Sequence, residues 1–391
     1  MPELQFWKEQ PSYYCGDDLH AAKQQKIQKA VEDHDLIGLL LIKSEAVRYA
    51  TDFYVKGYRP FMDPEYLAII PRGAEPVVGY TSGSDTYRIQ IRSDIKDYRK
   101  LSKTSDWAES IVRILTDYGM TDGLIGTDLL PFYLHDGIKQ ALPGIEFVDV
   151  SDIWTELTVV KHPVEIELLT EAVRLTEIGI LSAIEAIKPG VREYEVAAWA
   201  EYNMRKQGSE MTPFITNIAS GINSAIFERV STEKVIGDGE MVVIDLGCVW
   251  RGYTGDLGRT VCVGKPTPQQ KAIYRTTHLA LQEAINAVRP GVTCHDIDAI
   301  ARQVIREEGY GKYEHRFSTG HQLGYGLHCE PSVNRGVDYV LKPGMIMALE
   351  PRVTVFDNPE VGGAHLEDVI LVTETGHRGL SKVRYEDALL E

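Results

Sequence analysis

The sequence has few of the features that mark membrane, nucleic-acid-binding or secreted proteins. Its longest apolar runs, such as residues 36–42, are far shorter than the roughly 20 residues that span a bilayer, which excludes a transmembrane helix. The 41 Lys and Arg are outnumbered by 57 Asp and Glu, the formal net charge is -16, and no basic cluster occurs, which excludes a surface for nucleic acid or anionic membrane. The five cysteines lack CxxC spacing and the N-terminus lacks the pattern of a secretory signal, so we expect a reducing, cytoplasmic setting.

A glycine-rich phosphate loop is also missing. No GxGxxG follows a predicted strand and GxxxxGK[ST] occurs nowhere, so nucleotide binding has no motif to support it. The first part of the chain instead alternates apolar strand patterns with helical patterns, which is typical of an α/β domain. The predicted helices cover residues 16–34, 106–118 and 131–141, and the predicted strands cover residues 36–42, 66–70, 77–80, 124–127 and 145–150.

The pattern changes near residues 151–165, where a long helix is predicted with Pro163 in its first turn. We therefore place a domain boundary here, which divides the chain into residues 1–155 and residues 156–391. A chain of this length also favours two domains over one.

The second part of the chain contains a weak internal repeat. Residues 186–208 resemble residues 287–309, and in both copies a helical pattern precedes a Pro-Gly turn and another follows it. Two copies are too few for a solenoid. We predict a pseudo-symmetric α+β domain.

Residues 241–264 predict a β-hairpin that carries two aspartates, with apolar strand ends and a glycine-containing turn region. If the turn is centred between Trp250 and Arg251, Asp245 and Asp256 are directly opposed, with Cβ atoms about 5 Å apart. Two carboxylates at this distance repel each other unless a cation lies between them. The hairpin therefore predicts a metal.

A second predicted hairpin, residues 345–373, turns at residues 357–360 and places Glu350 opposite Glu367. Four carboxylates that converge in a core are too costly to bury without cations. Between the two hairpins in sequence, His321 lies in a glycine-rich segment that allows close approach to a site. One imidazole and four carboxylates suit two divalent metals such as Mn²⁺, Zn²⁺, Co²⁺ or Fe²⁺, whereas Mg²⁺ is less suited to a histidine ligand.

Each of these residues taken singly has an ordinary structural interpretation. An Asp before a Gly is commonly a turn residue, and an acidic residue beside a strand is commonly a solvated edge position. The joint occurrence of two opposed acidic pairs and a glycine-flanked histidine favours the metal site. For His328, a structural role in the core and a role in substrate binding or proton transfer both stay open.

The segments DLG…GYTGDLGRT, TGHQLGYGLH, ALEPR and HLEDVILVT resemble, in order and spacing, the metal-binding motifs of the M24 metallopeptidase family. This family has the pita-bread fold and includes prolidase, aminopeptidase P, methionine aminopeptidase and creatinase. The resemblance covers roughly residues 155–375, and the preceding region resembles the creatinase-type N-terminal domain of prolidase and aminopeptidase P. It implies an α+β protein in which a pseudo-symmetric pita-bread catalytic domain follows a smaller α/β domain.

The resemblance also implies roles for individual residues. The ligands of two divalent transition metals would be Asp245, Asp256, His321, Glu350 and Glu367. A water held by the metals would attack a substrate carbonyl, Glu350 would move the proton, and His328 would polarise or orient that carbonyl. A short-peptide or small-molecule substrate and a homodimer are implied as well.

Two matched positions depart from the peptidase pattern. Prolidases and aminopeptidase P place a site histidine where this chain has Glu228, and prolidase-type enzymes often have an arginine where it has His365. We expect both residues to shape substrate binding, although a surface glutamate is the alternative for Glu228.

Three functions are compatible with this pattern. The first is a hydrolase of the prolidase or aminopeptidase P type, which cleaves an Xaa-Pro bond or a small amide. The second is a non-peptidase relative that acts on a small molecule, as dimethylsulfoniopropionate lyase, creatinase and ectoine hydrolase do. The third is a catalytically silent pita-bread binding module, against which the intact set of ligands argues.

Overall fold

The computed structural model describes residues 16–53, 65–90, 95–101, 106–226, 230–314 and 317–391. The chain divides into two compact units, Met1–Leu157 and Thr158–Glu391, while a domain boundary after residue 155 stays a prediction. Glu228 lies outside the described residues. Among the helices that are described, none is long and apolar enough to cross a membrane.

The N-terminal unit contains every helix and strand predicted for it, and some elements that the sequence pattern did not indicate. Its strands β1 to β6 are Gly38–Leu41, Tyr66–Pro71, Val77–Tyr80, Asp97–Lys100, Asp122–Thr127 and Gly144–Asp149. Its helices α1 to α5 are Asp17–Asp33, Ser44–Thr51, Asp85–Gln90, Trp107–Asp117 and Phe132–Ala141, and α6, Ser151–Val159, crosses the division between the units. Strand β4 has no apolar pattern because it is a half-buried edge strand with the sequence DYRK.

These six strands form one mixed sheet in the order β4-β3-β2-β1-β5-β6. Strand β2 is antiparallel to both neighbours, and the other pairs are parallel. Apolar side chains of the central strands, such as Leu40 and Leu67, form a core with Trp107 and Ile111 of α4. This arrangement confirms the α/β prediction for the unit.

The described part of the C-terminal unit combines helices with three sheets. Its helices α7 to α11 are Pro163–Ala186, Glu193–Lys206, Pro268–Ala287, Cys294–Glu307 and Asp387–Leu390. Its strands β7 to β16 are Asn217–Ser220, Met241–Trp250, Tyr253–Cys262, Gly320–Gln322, Cys329–Val333, Ile346–Leu349, Arg352–Thr354, Gly363–His365, Asp368–Val372 and His377–Gly379. The sheets have the orders β7-β8-β9, β11-β10-β12-β15-β16 and β13-β14.

The internal repeat is a repeat of structure. Helices α7 and α9 both begin with a proline in the first turn and an N-terminal capping box, and both end just before a Pro-Gly turn. The residue before the following helix forms an antiparallel bridge in each copy, Arg192 with Val235 and Thr293 with Val340. These matched contacts confirm the pseudo-symmetric α+β prediction.

The predicted register of the first acidic hairpin is wrong by two residues, because the turn is centred one residue later than expected. Asp245 pairs with Gly258 and Asp256 pairs with Gly247, so the two aspartates are diagonal neighbours. The turn lies at Arg251 and Gly252, whose φ values of 50° and 87° are those of a type I′ turn, the type that matches the twist of a two-residue hairpin. Because Asp245 and Gly247 share one face of β8, both aspartates still point to the same side of the hairpin.

The predicted register of the second hairpin is confirmed. Strand β12 pairs with β15 and β13 pairs with β14 in the same register, with Leu349 opposite Asp368 and Arg352 opposite His365. Glu350 and Glu367 lie between these two paired segments, directly after β12 and directly before β15. The hairpin therefore places both glutamates at the point where its ladder is interrupted.

Candidate metal centre

The structure brings the five predicted ligands together where the two hairpins meet. Asp245 and Asp256 come from β8 and β9, and His321 comes from β10, which pairs with β12. Backbone hydrogen bonds connect the hairpins, since Glu367 N donates to Gly258 O over 3.0 Å. All five residues are buried except Glu350, which is partly buried.

Short distances define the cluster. His321 Nε2 lies 3.6 Å from Asp256 Oδ2 and 3.7 Å from Glu350 Oε1. Asp245, Asp256 and Glu367 each offer a carboxylate oxygen within 4.8 Å of the others, and Asp256 also forms such a group with His321 and His328. Asp256 is common to both groups and therefore lies between them.

The electrostatics of this cluster favour a bound cation. Burial raises the pKa of Asp256 well above its ordinary value, and the nearby carboxylates of Asp245 and Glu350 raise it further. Burial and the charges of Asp256 and Glu350 raise the pKa of Glu367 in the same way. Like charges this close are stable in the ionised form only when a cation compensates them. The donor set of carboxylates and one imidazole fits divalent transition metals.

Unpaired atoms point to the same conclusion. Within the described residues, His321 Nε2 and Glu367 Oε1 are buried and have no hydrogen-bond partner. Burial also lowers the pKa of His321, which favours the neutral imidazole that binds metals. Both atoms are available as metal ligands.

A guanidinium also belongs to the cluster, and its residue, Arg352, was not among the predicted site residues. Arg352 Nη2 donates to Glu350 Oε2 over 2.6 Å and to Asp245 Oδ2 over 3.3 Å. His365, directly opposite Arg352, has its Nε2 3.6 Å from Glu350 Oε2. Strand β14 thus lacks the arginine that the prolidase pattern places at position 365. The opposing strand β13 instead supplies an arginine, Arg352. The available signal was an arginine inside the apolar strand pattern ALEPRVTV.

His365 is held in place by close packing against Gly258. A Cβ atom on Gly258 would lie 2.6 Å from His365 Nε2. We expect Gly258→Ala to displace the imidazole and to lower the free energy of unfolding by about 1–3 kcal/mol, measured by denaturant unfolding. Gly376→Ala is the control, because a Cβ there has no atom of the described residues within 4 Å. Equal stability of the two variants would contradict this account.

A cavity of about 360 Å³ opens onto the carboxylates. His328 lines it, is largely exposed, and lies edge-on to His321 with ring centroids 4.6 Å apart. A core histidine is therefore the wrong alternative for His328, and its position beside the cluster is compatible with substrate binding. The other lining residues include apolar and polar side chains: Phe214, Ile215, Asn217, Val230, Leu327, Asp245, Asp256, Glu350, Arg352 and Glu367.

Glu193 anchors the segments on both sides of the undescribed residues 227–229, and no sequence signal indicated it. Its carboxylate accepts hydrogen bonds from the backbone and hydroxyl of Ser220, from Asn223 Nδ2, and from the backbone and hydroxyl of Thr232. Although burial opposes ionisation, the bonds from Thr232, Ser220 and Asn223 hold the pKa of Glu193 below its ordinary value.

We expect Glu193→Gln to lower the free energy of unfolding by about 1–3 kcal/mol, since an amide NH₂ would face groups that are themselves donors. Thermal and urea unfolding measure the change. Glu201→Gln, on the exposed face of α8, is the matched control. If the two variants were equally stable, Glu193 would not be an anchor.

Comparison with known proteins places this arrangement in context. Residues 167–374 match metallopeptidase family M24, and residues 23–160 match the creatinase/prolidase N-terminal domain. The chain is 31% identical to the Xaa-Pro dipeptidase of Pyrococcus horikoshii over 94% of its own length and 99% of that protein. It is 38% identical to the Xaa-Pro dipeptidase of Pyrococcus furiosus over 68% of its length and 75% of that protein. The solved structure of the Xaa-Pro dipeptidase from Bacillus anthracis matches with a TM-score of 0.82 at 29% identity, covering 94% of this chain and 99% of that one.

Proposed function

The chain belongs to metallopeptidase family M24, and from that premise we propose that it hydrolyses Xaa-Pro dipeptides with two divalent metals. The observation that carries the proposal is the buried cluster of four carboxylates and one histidine at the base of a cavity. Two relatives are named Xaa-Pro dipeptidase, and one of them matches over nearly the whole chain. They support the proposal that the Xaa-Pro bond is the bond that is cleaved.

The proposed ligands are Asp245, Asp256, His321, Glu350 and Glu367. When bound, two divalent metals supply a Lewis acid for the scissile carbonyl and lower the pKa of the attacking water. Two observations support this assignment: His321 Nε2 and Glu367 Oε1 have no hydrogen-bond partner among the described residues, and the pKa values of Asp256 and Glu367 are raised.

Two residues have proposed roles in the chemistry itself. Glu350 is the partly buried carboxylate that faces the cavity, so it can take the proton of the attacking water and return it to the leaving nitrogen. His328 lies in the cavity wall beside His321, where its ring can donate to the substrate carbonyl.

The cavity wall suits a dipeptide. Phe214, Ile215, Val230 and Leu327 provide an apolar surface for a proline ring or an apolar side chain. Arg352 adds a buried guanidinium, a group that binds carboxylates well, and a dipeptide carries one carboxylate beyond its scissile bond.

The proposal also covers further substrate-binding residues, the activating metal, the assembly and the location of the enzyme. We propose Glu228 and His365 as substrate-binding residues, manganese among the metals that activate the enzyme, a homodimeric assembly and a cytoplasmic location. The departures at 228 and 365 from the prolidase pattern are the positions at which substrate preference should differ from that of the relatives.

A metal-loaded substrate screen tests the function. The protein is freed of metal, loaded separately with Mn²⁺, Co²⁺, Zn²⁺ or Fe²⁺, and offered Xaa-Pro dipeptides, longer Xaa-Pro peptides, dimethylsulfoniopropionate and cyclic amides. We expect close to two metals per chain and cleavage of Xaa-Pro dipeptides. A folded protein that binds no metal, or one that turns over a non-peptide while leaving every dipeptide intact, would overturn the proposal.

A further inference from the structure

Asn217 is a buried polar residue in the wall of the cavity. It begins β7, is 7% exposed, and pairs directly with Asp245 of β8. Directly paired residues of antiparallel strands point to the same face of a sheet. Asn217 therefore presents its amide group beside one of the proposed metal ligands.

The amide oxygen of Asn217 can accept a hydrogen bond that the described residues do not supply. Asn217 Oδ1 is buried, and no hydrogen-bond partner for it exists within the described part of the chain. The cavity residues Phe214, Val230 and Leu327 have apolar side chains that cannot donate. A buried acceptor without a partner is unfavourable, so a bound molecule that donates a hydrogen bond there gains affinity.

We propose that Asn217 determines specificity by accepting a hydrogen bond from the α-ammonium group of a dipeptide substrate. This inference rests on the proposed function. The Cβ atoms of Asn217 and Asp245 are roughly 5 Å apart, so the donor must belong to the part of the substrate nearest the scissile carbonyl. A proline nitrogen carries no hydrogen. In an Xaa-Pro dipeptide the α-ammonium, one carbon from the scissile carbonyl, is therefore the N–H donor in reach.

A water molecule is the competing partner for Asn217. A second, small cavity of about 10 Å³ is lined by Asn217, Ser224, Arg352 and His365 and has room for about one water. If that water were the partner, Asn217 would be structural, and its replacement would affect every substrate alike. If the partner is instead the substrate's ammonium group, replacing Asn217 should affect only substrates that carry that group.

The test compares alanylproline with propanoylproline, which differs only in lacking the ammonium group. We expect the wild-type enzyme to favour alanylproline by roughly 10- to 100-fold in kcat/KM. Asn217→Leu should reduce this preference about tenfold or more, almost entirely through slower cleavage of alanylproline. Asn217→Asp should keep the preference, because aspartate retains an acceptor oxygen and loses the amide donors.

Metal content by mass spectrometry and thermal unfolding accompany each assay, with Asn203→Leu on the surface of α8 as the matched control. Full metal content, a wild-type melting temperature and a lost preference in Asn217→Leu support the inference. An unchanged preference for alanylproline overturns the inference. An equal loss of both activities also overturns it, because Asn217 would then be structural. The loss of a metal overturns it as well, because Asn217 would then be a ligand. If the wild-type enzyme cleaves neither of the two compounds nor any other dipeptide, the proposed function is overturned together with this inference. If it cleaves dipeptides and Asn217→Leu keeps the preference for alanylproline, this inference alone is overturned.

Discussion

Asp256→Asn is expected to lower kcat/KM for an Xaa-Pro dipeptide by about 1,000-fold or more, equivalent to about 4 kcal/mol of transition-state stabilisation. Asp256 is the residue common to both groups of close ligand atoms, so its loss disturbs the whole cluster. Stopped assays on metal-loaded protein and metal analysis measure the two effects. Metal content should fall together with activity.

The same substitution should have the opposite effect on the metal-free protein. Burial and the charges of Asp245 and Glu350 raise the pKa of Asp256, so a neutral asparagine removes a repulsive charge and should raise the melting temperature of the apoprotein. Asp387→Asn, at an exposed position, is the control and should change neither property. Two metals per chain and full activity in Asp256→Asn would show that Asp256 is not a ligand.

Removal of metal is expected to destabilise the protein strongly at neutral pH and much less in mild acid. A metal present at 1,000 times its dissociation constant stabilises the folded state by about 4 kcal/mol. For a unit of this size, that corresponds to a change in melting temperature of roughly 8–16 °C. Calorimetry with manganese and with a chelator, at pH 5 and at pH 8, gives the comparison.

The direction of the pH effect follows from the raised pKa values of Asp256 and Glu367. A carboxyl whose pKa is higher in the folded state than in the unfolded state destabilises the fold once the pH exceeds the unfolded value of about 4, and this destabilisation is complete above the folded value. The apoprotein should therefore lose stability as the pH rises from about 4, and the stabilisation by metal should grow over the same range. A chelator effect of equal size at both pH values would contradict this, and the apoprotein of Asp256→Asn should show a weaker pH dependence.

Most of the cluster proposed as a metal centre could be predicted from residue order and strand periodicity. Alternation along a strand determines which side chains share a face, and the Glu350 and Glu367 register followed from the length and position of one turn. The register of Asp245 and Asp256 could not be predicted in this way. It depends on a left-handed φ at Arg251, and a residue other than glycine gives no sequence signal for that conformation.

The alternation of elements was also readable in the N-terminal unit, except where an element is short or exposed. The polar edge strand β4 has no apolar face to bury, so its hydrogen bonds to β3 alone define it.

Local sequence indicates most of the elements, the metal-ligand candidates and the family, because the spacing of a few acidic residues within strands is a short-range property. Only the tertiary structure places Arg352 against Asp245 and Asn217 beside that same aspartate, since these residues come from three different strands. Such contacts depend on how the two hairpins and β7 meet. The two hairpins thus supply four of the five proposed metal ligands, and the residues proposed to select the substrate depend on contacts between separate segments.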